Sequence, residues 1–207
     1  MTIRSRIRRA LEVTVVIALA GALRPAPADA HLVTTGLGPI YDGISHVLLS
    51  PDDLVPVLAM ALLAGLNGPT AGRRTLFALT GAWLAGGIGG YLTGAAGPPG
   101  TASAAASFLL LGVLTAADRR LSPSLVSALA VAVGLLHGWL NGAGLAGGQR
   151  ESLTLLGITG AIFVLVAIAA AFVVSLRTSW ARVAVRVAGS WVAAIGLLML
   201  GWWLRGA

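Results

Sequence analysis

The chain contains no cysteine and no lysine. Without thiols, disulfides, thiolate metal sites and cysteine nucleophiles are all excluded. Charge is scarce: only 10% of the 207 residues are Asp, Glu or Arg. All fourteen basic residues are Arg, and the net charge is +7. These arginines are spread over short loops rather than gathered on one face, which excludes a nucleic-acid surface. No polar stretch is long enough to build a second, soluble core. There is no HExxH, no ordered Ser/His/Asp set and no phosphate loop, so no enzyme chemistry is expected.

What the chain has is apolar surface. It is 57% hydrophobic with a mean hydropathy of +0.90, more than a soluble domain of this size can bury. Long runs without charge are the transmembrane signature. The expected class is an all-α integral membrane protein, a bundle of about six transmembrane helices behind a cleavable N-terminal signal peptide.

Residues 1–30 carry the signal-peptide pattern: a basic start (Arg4, Arg6, Arg8, Arg9), the apolar run 13–23, helix-breaking Pro25 and Pro27, and the A-x-A site Ala28-Asp29-Ala30. The competing reading is an uncleaved first helix, for which the apolar run is short. Cleavage removes five Arg and two acids and lowers the net charge from +7 to +4. It also makes His31 the mature N-terminus, where the α-amine and imidazole together could chelate a metal ion. Otherwise His31 simply opens an irregular lead-in.

Residues 31–50 form that lead-in and a short helix in the outer interface. Asp42 and His46 are spaced i, i+4 and share a face. Ser50 then caps a new helix, with Pro51 at its first position and Asp52 and Asp53 in its first turn. Capping alone accounts for Asp53, which leaves Asp42, His46 and Asp52 as the leading candidates in this stretch. Pro56 interrupts the helix that follows. The transmembrane domain, 51–207, has spans at about 51–66, 75–93, 102–117, 124–144, 153–176 and 183–204. Gly86, Gly87, Gly89 and Gly90 in the second span, and the Ala and Ser residues of the third, are expected to pack closely against other helices.

Arginine orients the bundle. With the mature N-terminus outside, Arg73, Arg74, Arg119, Arg120, Arg177, Arg182 and Arg186 fall inside, and only Arg150 and Arg205 fall outside. The inner membrane of a bacterium, with a periplasmic N-terminus, is the expected location. His137 lies about 13 residues from the inner end of its span, roughly 20 Å up a core about 30 Å thick. All three histidines therefore gather in the outer half. Asn141 follows His137 by one turn on the same face. A histidine within a span either satisfies one interhelical hydrogen bond or faces a functional partner. The company of His46 and the acids favours the second. Imidazole and carboxylate without thiolate suit borderline divalent cations such as nickel, cobalt, zinc or copper. The set is sparse, as a transport site must be, because the ion has to leave.

Residues 43–60 run Gly-Ile-Ser-His-Val-Leu-Leu-Ser-Pro-Asp-Asp-Leu-Val-Pro-Val-Leu-Ala-Met. Without a gap they resemble the G-x-x-H-I-L-x-G-x-D-H-L-L-F-x-L-A-L motif of the HupE/UreJ family, hydrogenase- and urease-accessory membrane proteins regarded as nickel permeases. His46 and Asp52 match its polar positions, Asp53 stands for its second histidine and Ser50 for its glycine. His137-Gly138 matches the family's later HGxxHG motif, with Asn141 in place of its second histidine and Gly144 where an acid is found. The Asn and Glu of some members' fifth span are absent from the stretch 157–163. The resemblance implies a permease for nickel or cobalt that supplies metalloenzyme maturation, with the ion as a transient substrate and no permanently bound cofactor. The candidate ligands are then His46, Asp42, Asp52, His137, Asn141, His31 and Asp53. The thinned ligand set keeps a second reading open: a non-transporting accessory or scaffold protein that docks a periplasmic or membrane partner.

Overall fold

The computed structural model describes residues 35–98, 100–146 and 151–206. The signal-like stretch and His31 lie outside the described residues. Those described form seven helices and no strand: α1 (Pro39–Leu49), α2 (Pro51–Leu66), α3 (Pro69–Thr93), α4 (Gly100–Ala117), α5 (Pro123–Gly144), α6 (Glu151–Ser175) and α7 (Ser179–Gly206). Proline opens four of them at the first position, where its missing N–H costs nothing. Helices α3 to α7 are each long and apolar enough to cross a membrane. Helices α1 and α2 meet at a 74° bend; taken together as one span they bring the candidate spans among the described residues from five to six. The chain is thus a multi-pass helical membrane protein.

The bend falls at Ser50-Pro51. The Ser50 backbone is extended, and its amide closes α1 by donating to the His46 carbonyl at 2.9 Å. Proline disfavours helical backbone at the residue before it, so the chain leaves α1 there and restarts. The Ser50 side chain makes no capping hydrogen bond to α2. Pro56, inside α2, withholds the amide that a regular helix would offer to the carbonyl of Asp52.

Helix α2 is the hub. Val57, Met60, Ala61, Leu63 and Ala64 are fully buried, and every other helix packs on it. Around it the remaining six form three close pairs: α3 with α5, α4 with α7, and α1 with α6. Glycine makes each pair possible. A methyl at Gly142 would strike the Gly87 carbonyl, one at Gly112 the backbone of Ala193, and one at Gly43 the Thr154 carbonyl. Such contacts bring backbones together in lipid, where no hydrophobic force does so.

One end of the bundle is basic. Arg182 of α7 donates to Asp118 at 3.1 Å and to the Leu66 carbonyl at 3.4 Å. The Asn67 carboxamide oxygen accepts from the Leu121 amide at 2.7 Å. The end of α2, the α4–α5 loop and the start of α7 therefore lie together. Asp53 stands at the other end of α2.

A buried carboxylate shared by two histidines

Asp53, only 5% exposed, is the centre of the candidate site. Its third position in α2 turns it into the bundle rather than toward a cap. Nδ1 of His137, on α5, lies 3.3 Å from its Oδ1. Nε2 of His46, on α1, lies 3.3 Å from its Oδ2. The Asn141 amide donates to both oxygens, at 3.1 and 3.0 Å, and to the carbonyl of His137 at 3.0 Å. The other face of that amide, Oδ1, is buried with no hydrogen-bond partner among the described residues.

His137 is held on every side. Its Nε2 is 3.0 Å from the Ser107 hydroxyl of α4. Its ring stacks on Trp83 of α3, with centroids 5.5 Å apart and planes 25° from parallel. Gly138 permits the stack, because a methyl there would collide with the Trp83 carbonyl. His46 is partly exposed, with its Nδ1 3.5 Å from the Ser50 hydroxyl. Imidazoles whose second nitrogen is also engaged present a fixed orientation to the carboxylate.

The structure therefore brings together four of the seven candidates, His46, Asp53, His137 and Asn141. Asp52 is exposed beside them and makes no hydrogen bond or ion pair among the described residues. Asp42 turns away: its Oδ1 accepts from the Thr35 amide and hydroxyl, both at 2.6 Å, and so fixes the start of α1. Sequence reading ranked Asp53 below Asp42 because capping sufficed to explain it. Ser107 and Trp83 went unremarked because a serine in an Ala-rich helix and a tryptophan in an apolar one read as packing. A usable signal for Asp53 was Asn141, whose amide donors within a span call for an acceptor on a facing helix.

Chemically, each imidazole–carboxylate pair has the bite of a two-donor chelate. Donors 3.3 Å apart suit bonds of about 2.1 Å to one cation, subtending an angle of about 100°. Among the described residues no three His, Asp or Glu side chains converge as a single metal cage. Asp53 instead offers two half-sites, one on each oxygen. Ser107, His137 and Asp53 stand in Ser–His–Asp order, at 3.0 and 3.3 Å, with all three residues buried among the helices.

The bent α1–α2 pair, five long apolar helices, close glycine pairs and a buried His–Asp–His cluster define a polytopic membrane protein with a polar site set among its helices. The HupE / UreJ protein family model matches residues 17–199, nearly the whole chain. The chain belongs to the HupE/UreJ family, which is associated with nickel and cobalt transport or accessory roles. Searches of curated proteins and of solved structures returned no match.

Proposed function

We propose that the protein is an inner-membrane permease for a divalent transition-metal cation, nickel or cobalt, with the mature N-terminus in the periplasm. The observation that carries this reading is the Asp53 carboxylate bridging His46 and His137 at 3.3 Å on each side. Exposed Asp52 and partly exposed His46 draw the ion to the mouth at the α1–α2 bend. His46 and Oδ2 of Asp53 form the first half-site, and His137 and Oδ1 form the second. The ion passes between them by shifting from one carboxylate oxygen to the other. At no step does it lose every ligand, and at no step is it caged too tightly to leave. Asn141 holds the carboxylate in position and offers its free Oδ1 as a neutral oxygen donor. A membrane potential drives a divalent ion inward by about 4.6 kcal/mol per 100 mV, twice the single-charge value, so no ATPase is required.

The experiment is accumulation of nickel, cobalt, copper and zinc in proteoliposomes. His46→Ala and His137→Ala each abolish nickel or cobalt uptake while the protein still inserts. Wild-type accumulation by both variants refutes the permease. The absence of a three-ligand cage among the described residues favours one alternative, an accessory protein of the same family. That reading predicts silent histidine substitutions together with metal-free co-purification of a partner.

A further inference from the structure

At the basic end of the bundle two cavities meet at the turn between α2 and α3. Gly68 lines the first, and the next residue, Pro69, lines the second. We propose that together they hold an anionic phospholipid, with its phosphate head in the first and an acyl chain in the second.

The first cavity, of about 590 Å³, lies among the end of α2, the α4–α5 loop and Arg182. Its walls are tied in place. The Asn67 carboxamide accepts from the Leu121 amide at 2.7 Å and donates to the Leu63 carbonyl at 2.9 Å, and Arg182 donates to Asp118 at 3.1 Å. Arg119, Arg120 and Arg182 stand against a single acid, Asp118, so the lining is net positive. Arg182 is already paired with that acid. Arg119 and Arg120 are exposed and make no hydrogen bond or ion pair among the described residues. Guanidinium forks match the paired oxygens of a phosphate. Helix α3 begins beside them without a side-chain cap, and its positive dipole end adds to the same field.

The second cavity is an apolar groove of about 240 Å³ between the start of α3 and the end of α6. Gly72 and Leu76 line one wall, and Ala170, Ala171 and Val174 line the other. Small side chains keep it concave: Gly72 lies so close to α6 that a methyl there would meet the Ala170 side chain at 3.6 Å. From Val166 to Val174 the groove runs about 12 Å at 1.5 Å per residue, room for the upper part of an acyl chain. Its one charged lining group is Arg73, a turn along from Pro69. A long arginine so placed snorkels to the headgroup level.

The arginine count assigns this end to the cytoplasmic side, where the leaflet is anionic and basic pockets between helices take lipid headgroups. A free phosphate or an acidic protein segment would use the arginines and leave the groove empty. An amphiphile uses both. The site lies at the opposite end of α2 from Asp53, so its fate is separate from that of the permease reading.

The test is binding to the purified full-length protein in detergent, read by native mass spectrometry and by the rise in melting temperature. The probes are phosphatidylglycerol, phosphatidylcholine and glycerol phosphate. Phosphatidylglycerol should bind and stabilise. Each basic residue beside an anionic lipid contributes roughly five-fold in affinity, so Arg119→Gln combined with Arg120→Gln should weaken it about thirty-fold. Phosphatidylcholine, with no net charge, should bind the wild type as weakly as phosphatidylglycerol binds that double variant. Ala171→Phe, at an exposed position that fills the groove, should weaken the lipid while leaving glycerol phosphate unaffected. Without lipid, both variants should melt like the wild type. Equal binding of phosphatidylcholine overturns the proposal, as does wild-type lipid affinity in either variant. Glycerol phosphate binding as tightly as the lipid also overturns it and makes this a site for a soluble anion.

Discussion

Asp53 and Asn141 face each other across the α2–α5 boundary, and exchanging their side chains tests the site directly. Asp53→Asn removes the negative charge that both histidines and the Asn141 amide address. It also turns one acceptor into a donor that meets either the Asn141 amide or the His46 imidazole. Interhelical hydrogen bonds in lipid average only about 0.6 kcal/mol, but a buried polar group left facing its like costs about 1–3 kcal/mol. A loss of about 2 kcal/mol is therefore expected, or a melting temperature lower by about 4–8 °C for a chain of this length. Asn141→Asp alone sets two carboxylates about 3 Å apart and is destabilising by a similar amount. The double variant again places one carboxylate opposite one amide. It should be more stable than the sum of the singles by about 0.5–3 kcal/mol. Uptake should vanish in Asp53→Asn and return only in part in the double variant, since the displaced carboxylate reaches the His137 side and not His46. The assays are thermal unfolding in detergent and uptake by proteoliposomes. Additive destabilisation within about 0.5 kcal/mol, or full uptake by Asp53→Asn, refutes the central placement of this carboxylate.

Gly142→Val, which drives a side chain into the Gly87 backbone, should cost about 3 kcal/mol or more, because neither helix backbone can yield. Gly144→Ala, on the same helix with open space around it, should melt like wild type; equal melting of the two variants would contradict the close pairing of α3 and α5. Asp52→Asn, at the exposed mouth, should raise the KM for uptake about five-fold, equivalent to about 1 kcal/mol, and leave the maximal rate unchanged. A fall in maximal rate instead would place Asp52 inside the path.

The architecture was readable because its signals are long and local. Apolar runs of helical length marked the spans, Ser50-Pro51 marked the break, and the glycines at 86–90 marked close helix packing. The site was readable only in part. Spacing within one helix correctly paired His137 with Asn141, but His46 and Asp53 are seven residues apart across a bend, and no single periodicity spans a break. Asp42 looked like the natural partner of His46 at i, i+4, yet Thr35 claims its carboxylate first. Ser107 has no sequence signature at all, since its meaning comes from the ring lying 3.0 Å away on another helix.

The three glycine-sealed pairs around α2 also determine what can move. Backbones in direct contact shift together, so each pair moves as one body, and Gly65 ties the hub itself closely to α6, where a methyl would strike Val173 and the Ala170 carbonyl. Each body sends a group toward Asp53 or the ring it holds: His46 from the α1–α6 body, His137 with Asn141 and stacking Trp83 from α3–α5, and Ser107 from α4–α7. A slide of any one body past α2 is therefore registered at a single carboxylate as a lengthened bond. On the permease reading, an ion that drew those groups inward would pull on all three bodies at once.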